Sequence, residues 1–93
     1  MSIGKKLDKV VLIDVRTTQE FDLKNIDNSI NIPMHEVLSR INEFRIISKP
    51  IIVYCRSGMR SGWVTDILTE RGINNISNGG AIDNIEILLK NSN

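Results

Sequence analysis

The residues best suited to chemistry cluster around Cys55, the only cysteine in the chain. The six residues that follow it are Arg56, Ser57, Gly58, Met59, Arg60 and Ser61. A cysteine reacts as its thiolate, and cations and hydrogen-bond donors close to the sulfur favour that form. The two arginines and two serines offer such groups, and Gly58 lets the backbone turn tightly around the sulfur. We therefore predict a nucleophilic thiolate, although a lone cysteine is more commonly a small buried hydrophobe.

A strand before this segment and a helix after it must position the cysteine. The β-branched run Ile51 to Tyr54 predicts a buried strand. Val64, Ile67, Leu68 and Arg71 recur at helical spacing, and Gly72 is a natural terminator. Ligands of parallel sheets bind beyond the carboxyl ends of the strands, and a helix N-terminus presents unpaired N–H groups. The sequence thus predicts an anion site in the loop that joins the two elements.

The rest of the chain alternates between predicted strands and helices. Predicted strands are Val10 to Ile13 ending at Asp14, Ile30 to Ile32 stopped by Pro33, and, weakly, Ile73 to Ile76 before a break at Asn78 to Gly80. Predicted helices are Glu20 to Leu23 capped by Thr17 or Thr18, Met34 to about Phe44, and Ile82 to Leu89. This alternation predicts an α/β fold with a central, mainly parallel sheet flanked by helices on both faces.

Composition narrows the function classes. With 93 residues, 41% hydrophobic and 25% charged, the chain predicts one domain over residues 1–93. A formal net charge of +1 gives no electrostatic reason to expect nucleic acid or a membrane surface as partner. We find no apolar run of the roughly 18 residues that span a membrane and no export signal, and we expect a cytoplasmic protein. Neither a disulfide nor a metal site is expected, because no second cysteine or His-Cys cluster is present.

Five motifs in order resemble the landmarks of a rhodanese domain. They are Leu12-Ile13-Asp14-Val15-Arg16, Glu20-Phe21, Ser29-Ile30-Asn31-Ile32-Pro33, the Cys55 to Ser61 loop, and Asn78-Gly79-Gly80. The resemblance covers roughly residues 7–85 and is similar in compactness to the single-domain rhodaneses of the phage-shock E type.

The resemblance implies a thiosulfate sulfurtransferase that needs no cofactor. Cys55 would carry the transferred sulfur as a persulfide, and the backbone amides from Arg56 to Ser61 would form its cradle. Asp14 and Arg16 would be supporting residues that pair near the loop. The expected partners are a small anionic donor such as thiosulfate and a thiol or cyanide acceptor. Lys24-Asn25-Ile26 and Ala81-Ile82-Asp83 depart from the family pattern, which leaves the acceptor open.

Two other functions fit parts of this pattern. Phosphatases and arsenate reductases also use a cysteine thiolate in an anion-binding loop that ends in arginine, but their loop is one residue longer. Here four residues, Arg56 to Met59, separate Cys55 from Arg60, and the smaller loop suits a single sulfur atom better than a phosphoryl group. The second alternative is a sulfur-relay module that a partner protein loads, since a relay requires the same loop.

Two further side chains, His35 and Trp63, are candidates for the site. His35 follows Pro33 at the start of a predicted helix, where a surface role is commoner than that of a catalytic base. Trp63 lies two residues after Ser61 and fits either the rim of the pocket or ordinary packing between helices.

Overall fold

A computed structural model describes residues 9–91 of the chain. Its strands are β1 (Val11–Asp14), β2 (Ile30–Asn31), β3 (Ile51–Cys55) and β4 (Ile76–Ala81), and its helices are α1 (Thr18–Leu23), α2 (Ile41–Arg45), α3 (Met59–Glu70) and α4 (Ile82–Lys90), with a 3₁₀ helix at Met34–Glu36. The strands form one sheet in the order β2-β1-β3-β4, and each neighbouring pair is parallel. The predicted fold class is confirmed.

Two apolar clusters cover the two faces of the sheet. On one face, Val64 and Leu68 of α3 and Phe44 of α2 pack among the inward side chains of β1 and β3. On the other face, Ile82 and Ile85 of α4 pack with side chains from the adjoining strands and loops. Successive residues of a strand point to opposite faces, so β-branched strands buried on both sides supply both clusters.

The strand order creates a crevice at the end of β3. From β1 the chain moves to β2 at one edge of the sheet, whereas from β3 it moves to β4 at the opposite edge. Asp14 is paired in register with Tyr54, so Cys55 lies just beyond the point where these two central strands part. Such a switch point is where open parallel sheets bind their ligands. The fold therefore places the predicted nucleophile at the expected position.

Two predicted helix ends are confirmed. Thr17 caps α1: its hydroxyl accepts from the backbone N–H of Glu20, and the Glu20 carboxylate accepts from the backbone N–H of Thr17. After the C-terminal end of α3, Gly72 takes a φ of 92°, the left-handed conformation that terminates helices.

The continuous helix predicted from Met34 to Phe44 is wrong. The segment divides into the 3₁₀ helix, a turn and the short helix α2. The Ser39 hydroxyl donates to the carbonyl of Glu36, and Arg40 has non-helical dihedral angles of −111° and 22°. A side chain that bonds to the nearby backbone competes with the helical pattern. Val37 and Phe44 are buried as expected, so the apolar spacing identified core residues without specifying one helix.

The last strand is also displaced from its predicted position. We expected Ile73 to Ile76, with Asn78 to Gly80 breaking the chain, but β4 runs from Ile76 to Ala81. Val53 pairs with Asn78 and Tyr54 with Gly80, which leaves Gly79 as an extra residue in a β-bulge. A Cβ at Gly79 would lie 2.6 Å from Ile52 Cγ2. The missing side chain lets the strand bulge here, and the bulge brings Asn78 beside the Cys55 loop.

Within residues 9–91, no helix is both long and apolar enough to cross a membrane. The same part of the chain contains no group of three or more His, Cys, Asp or Glu side chains arranged to hold a metal ion.

Candidate active site

Cys55 ends β3 with a fully buried side chain that faces a ring of donors. Its Sγ lies 3.0 Å from the backbone nitrogen of Gly58, 3.5 Å from that of Ser61 and 3.4 Å from the Ser61 hydroxyl. Sulfur is large and diffuse, so contacts of this length are hydrogen bonds. The loop therefore curls back on the sulfur, as the sequence predicted.

The surroundings of Cys55 favour its anionic form. Burial by itself raises the pKa of the thiol, but hydrogen bonds from the Ser61 hydroxyl and from the backbone N–H groups of Ser61, Ser57 and Gly58 outweigh it. The pKa of Cys55 therefore lies below its ordinary value. A thiolate in this position can attack an electrophilic sulfur without a separate general base.

Gly58 makes the tight turn possible. Its φ of 95° is a conformation that side chains rarely adopt, and a Cβ there would lie 3.3 Å from the Cα of Gly80. The Gly58 carbonyl accepts from the backbone N–H of Gly62 at 2.9 Å, which closes the first turn of α3. Gly58 thus directs its own N–H at the sulfur and its carbonyl into the helix.

Asn78 joins the bulge of β4 to this loop, and the sequence prediction missed that role. Its Oδ1 lies 2.6 Å from the Ser61 hydroxyl oxygen and accepts from the backbone N–H of Gly80 at 2.9 Å. Its Nδ2 donates to the Gly58 carbonyl at 3.1 Å. The sequence predicts only a chain break at Asn78 and the two glycines, and the register of β4 is what brings Asn78 to the cradle.

The side chains of Arg56, Ser57 and Met59 make no hydrogen bond to the sulfur. The Ser57 hydroxyl accepts from the backbone N–H of Met59 at 3.4 Å, and Met59 is 82% exposed. Arg56 is exposed and has no ion-pair or hydrogen-bond partner among the described residues. It borders a pocket of about 300 Å³ whose other lining residues are Arg16, Glu20, Leu23, Lys24, Ile82 and Asp83.

Arg60 is paired with a carboxylate from another element. Its Nη1 and Nη2 lie 2.7 and 3.0 Å from the two carboxylate oxygens of Glu20 on α1. The hydrogen bond from Arg60 is the main reason that the pKa of Glu20 falls to about 2. The charge of Arg60 also interacts with Cys55. The sequence identified both residues separately, but it did not predict that Glu20 would neutralise part of the charge of Arg60.

Asp14 and Arg16 form the pair that the resemblance implied. The Asp14 carboxylate is fully buried and accepts from Nε and Nη2 of Arg16, the latter at 2.7 Å, and from the Arg16 backbone N–H at 2.8 Å. Arg16 also donates to the carbonyl of Lys24. Neither side chain is a hydrogen-bond partner of Cys55. The pair joins the end of β1 to the segment after α1, beside the pocket that Arg56 borders.

The other two candidates, His35 and Trp63, lie on the surface. The His35 side chain is 74% exposed, and its Nε2 lies 3.4 Å from Oε2 of Glu36. Trp63 is 47% exposed, one turn along α3 from Met59.

The fold and site define an α/β domain in which a single cysteine occupies a cradle of amide and hydroxyl donors at the switch point of a parallel sheet. Residues 3–80 match the family model of the rhodanese-like domain. The chain therefore belongs to the rhodanese-like family, as the motifs predicted.

Proteins similar to this chain include a named sulfurtransferase and a rhodanese of known structure. Thiosulfate sulfurtransferase PspE of Escherichia coli is 34% identical over 74 residues, which cover 78% of this chain and 71% of that protein. YqhL of Bacillus subtilis is 39% identical over 70 residues, covering 75% of this chain and 55% of that protein. Among solved structures, a rhodanese with anions from E. coli superposes with a TM-score of 0.73 at 32% identity, covering 81% of this chain and 89% of that one.

Proposed function

We propose that this domain transfers the outer sulfur of thiosulfate, or of a similar donor, to a thiophilic acceptor through a persulfide on Cys55. The observation that carries the proposal is the cradle itself, in which two backbone N–H groups and one hydroxyl surround a buried Sγ. Such a cradle stabilises a sulfur anion, and the thiolate and the persulfide are both sulfur anions. A sulfurtransferase among the relatives and a related rhodanese structure with anions support the choice.

The two half-reactions balance without an oxidant, a metal or a cofactor. The Cys55 thiolate attacks the outer sulfur of thiosulfate, the sulfur–sulfur bond of the donor breaks, and sulfite leaves with the bonding electron pair. Cyanide or a thiolate then attacks the outer sulfur of the persulfide, and the Cys55 thiolate is the leaving group. Donors already fixed around Sγ stabilise the charge each time it returns to Cys55.

Two arginines are the proposed binding groups for the dianionic donor. Arg56 is unpaired within residues 9–91 and borders the open pocket, so its full charge is available. The charge of Arg60 interacts with Cys55, but Glu20 holds its guanidinium in a two-point contact. We therefore assign the larger share of donor attraction to Arg56, and to Arg60 a shared role in donor binding and loop bracing.

Arg56→Ala should slow sulfite release from thiosulfate by roughly ten- to a hundredfold, because one charge-assisted contact with the donor is lost. Transfer from the preformed persulfide to a neutral thiol should change much less. Rapid-mixing measurements of the two half-reactions, repeated across a salt series, test this, and added salt should slow the wild type more than the variant.

Arg71→Ala is the matched control for this prediction. Arg71 is exposed at the far end of α3 without an ion-pair partner in the described part of the chain, so its removal changes the net charge equally. Equal slowing by the two variants, or equal losses in both half-reactions of Arg56→Ala, would remove Arg56 from donor binding.

A sulfur-relay role is the second candidate, and exposed apolar groups beside the loop favour it. Met59 and Trp63 are 82% and 47% exposed on adjacent turns of α3, directly after the cradle. A relay domain would accept sulfur faster from a persulfide donor than from thiosulfate. Comparing the rate of Cys55 loading by thiosulfate with the rate of loading by glutathione persulfide decides between the two roles.

The phosphatase alternative has its own test. An aryl-phosphate assay with no turnover would exclude it.

A further inference from the structure

The contacts of Ser61 contain a conflict that concerns the cysteine directly. Its hydroxyl oxygen lies 2.6 Å from Asn78 Oδ1 and 3.4 Å from Cys55 Sγ. Ser61 is fully buried, so bulk water does not reach it. A hydroxyl has one hydrogen to donate. It can therefore point squarely at Asn78 or at the sulfur, so a good bond to one weakens the bond to the other.

The orientation of the Asn78 amide is fixed by two backbone groups. Gly80 offers an N–H at 2.9 Å from one end of the amide, and Gly58 offers a carbonyl at 3.1 Å from the other end. An N–H can only donate and a carbonyl can only accept, so the oxygen must face Gly80 and the nitrogen must face Gly58. The amide oxygen that meets Ser61 has no hydrogen. In that short contact, Ser61 must be the donor.

The protonation state of Cys55 then decides where the hydroxyl points. When Cys55 is a thiol, its S–H can donate to the Ser61 oxygen while Ser61 donates to Asn78, and every group is satisfied. When Cys55 is a thiolate, an oxygen lone pair aimed at the sulfur is repulsive, and the hydroxyl must turn to donate to it. That turn breaks the 2.6 Å bond to Asn78. Asn78 thus opposes the anion that the rest of the cradle stabilises.

We propose that Asn78 and Cys55 compete for the hydroxyl hydrogen of Ser61, and that Asn78 is a positioning residue which takes this hydrogen back whenever the sulfur loses its charge. Attack by Cys55 on a donor removes charge from Sγ and returns the hydrogen to Asn78. Departure of Cys55 from the persulfide restores the charge and draws the hydrogen to the sulfur. This consequence for turnover rests on the proposed function, whereas the competition itself exists without any sulfur donor.

Other charged groups near Cys55 do not explain such a competition. Those on the strand ends, the loop and the first helix are Asp14, Arg16, Glu20, Tyr54, Arg56 and Arg60, and His35 and Glu36 lie on the 3₁₀ helix near α3. The helices that pack against β3 add Asp66, Glu70, Asp83, Glu86 and Lys90, none of which changes in the variants below. Glu20 has a pKa of about 2, and burial raises the pKa of Tyr54 to about 12, so neither titrates with the cysteine. His35 is exposed and unchanged in every variant below, so its effect cancels in the comparison.

The test is the pH dependence of Cys55 alkylation by iodoacetamide in the wild type, Asn78→Ala, Ser61→Ala and the double variant. Alkylation follows the thiolate, and no sulfur donor is present. Asn78→Ala should lower the midpoint by about half to one pH unit, since the hydroxyl no longer has to leave a competing acceptor. In the Ser61→Ala background, Asn78→Ala should cause no such shift.

A bracing role would give a different result. If Asn78 only holds Gly58 and Gly80 in place, its removal loosens the cradle and the midpoint rises or stays unchanged, in both backgrounds. A midpoint that rises or stays unchanged on Asn78→Ala in the protein that keeps Ser61, or a downward shift that persists in Ser61→Ala, overturns the proposal. If Asn78→Ala does not fold, Asn78→Leu fills the amide's volume without a polar atom and repeats the test. The alkylation assay contains no sulfur donor. It therefore tests the competition even if the protein fails to transfer sulfur from thiosulfate.

Discussion

Cys55→Ser should reduce thiocyanate formation from thiosulfate and cyanide to the uncatalysed rate while the domain stays folded. Serine is close in size to cysteine, and the donors around Sγ can also meet a hydroxyl. A serine hydroxyl has a far higher pKa than a thiol and does not form a persulfide. No other cysteine exists in the chain to replace it. We therefore expect the loss of activity to be complete.

Thiocyanate is measured colorimetrically, and circular dichroism with a urea unfolding curve verifies the fold of the same preparation. A folded Cys55→Ser protein that keeps appreciable turnover would show that the sulfur travels by another route. An unfolded variant would be replaced by Cys55→Ala, which leaves a smaller side chain at the same buried position.

Asp14→Ala should lower the free energy of unfolding by about 3–5 kcal/mol, the largest stability loss that we expect from one substitution. The Asp14 side chain is fully buried and that of Arg16 is only 6% exposed. Removing the carboxylate leaves the guanidinium buried without its charge partner. Domains of this kind are stable by roughly 5–15 kcal/mol, so much of the total would be lost. Urea denaturation, followed by circular dichroism, measures the change.

The double variant Asp14→Leu with Arg16→Met is the control for this mechanism. It replaces both charges with apolar side chains of similar volume, and replacing a whole buried pair costs much less than removing one partner. We expect most of the stability to return. A loss below about 1 kcal/mol in Asp14→Ala, the range of exposed ion pairs, would show that water reaches the guanidinium in solution.

The sequence predicted best those features that depend on local patterns. β1 and β3 are runs of β-branched residues buried on both faces, and the cap at Thr17 and the stop at Gly72 rest on local backbone chemistry. The loop after Cys55 was predicted for a similar reason. A strand, a glycine and a helix follow one another within a few residues, and so short a connection must turn tightly around the sulfur.

Features that depend on distant pairing were missed. Arg60 and Glu20 are 40 positions apart, and their contact exists only because α1 and the start of α3 meet above the same strand ends. Asn78 reaches Gly58 and Ser61 because a bulge at Gly79 shifts the register of β4. No periodicity encodes a bulge, and a glycine pair is equally typical of a chain break. Sequence patterns located the candidate nucleophile but not the distant residues that bond to its loop.

The central claim, that Cys55 carries sulfur, is tested most directly by the intact mass of the protein after incubation with thiosulfate and removal of the donor. We expect a gain of one sulfur atom, about 32 Da, which disappears when cyanide is added and is absent from Cys55→Ser. Fragment masses should place the added sulfur on the peptide that contains Cys55. An unchanged mass in the wild type, after both thiosulfate and glutathione persulfide have been offered, would contradict the account.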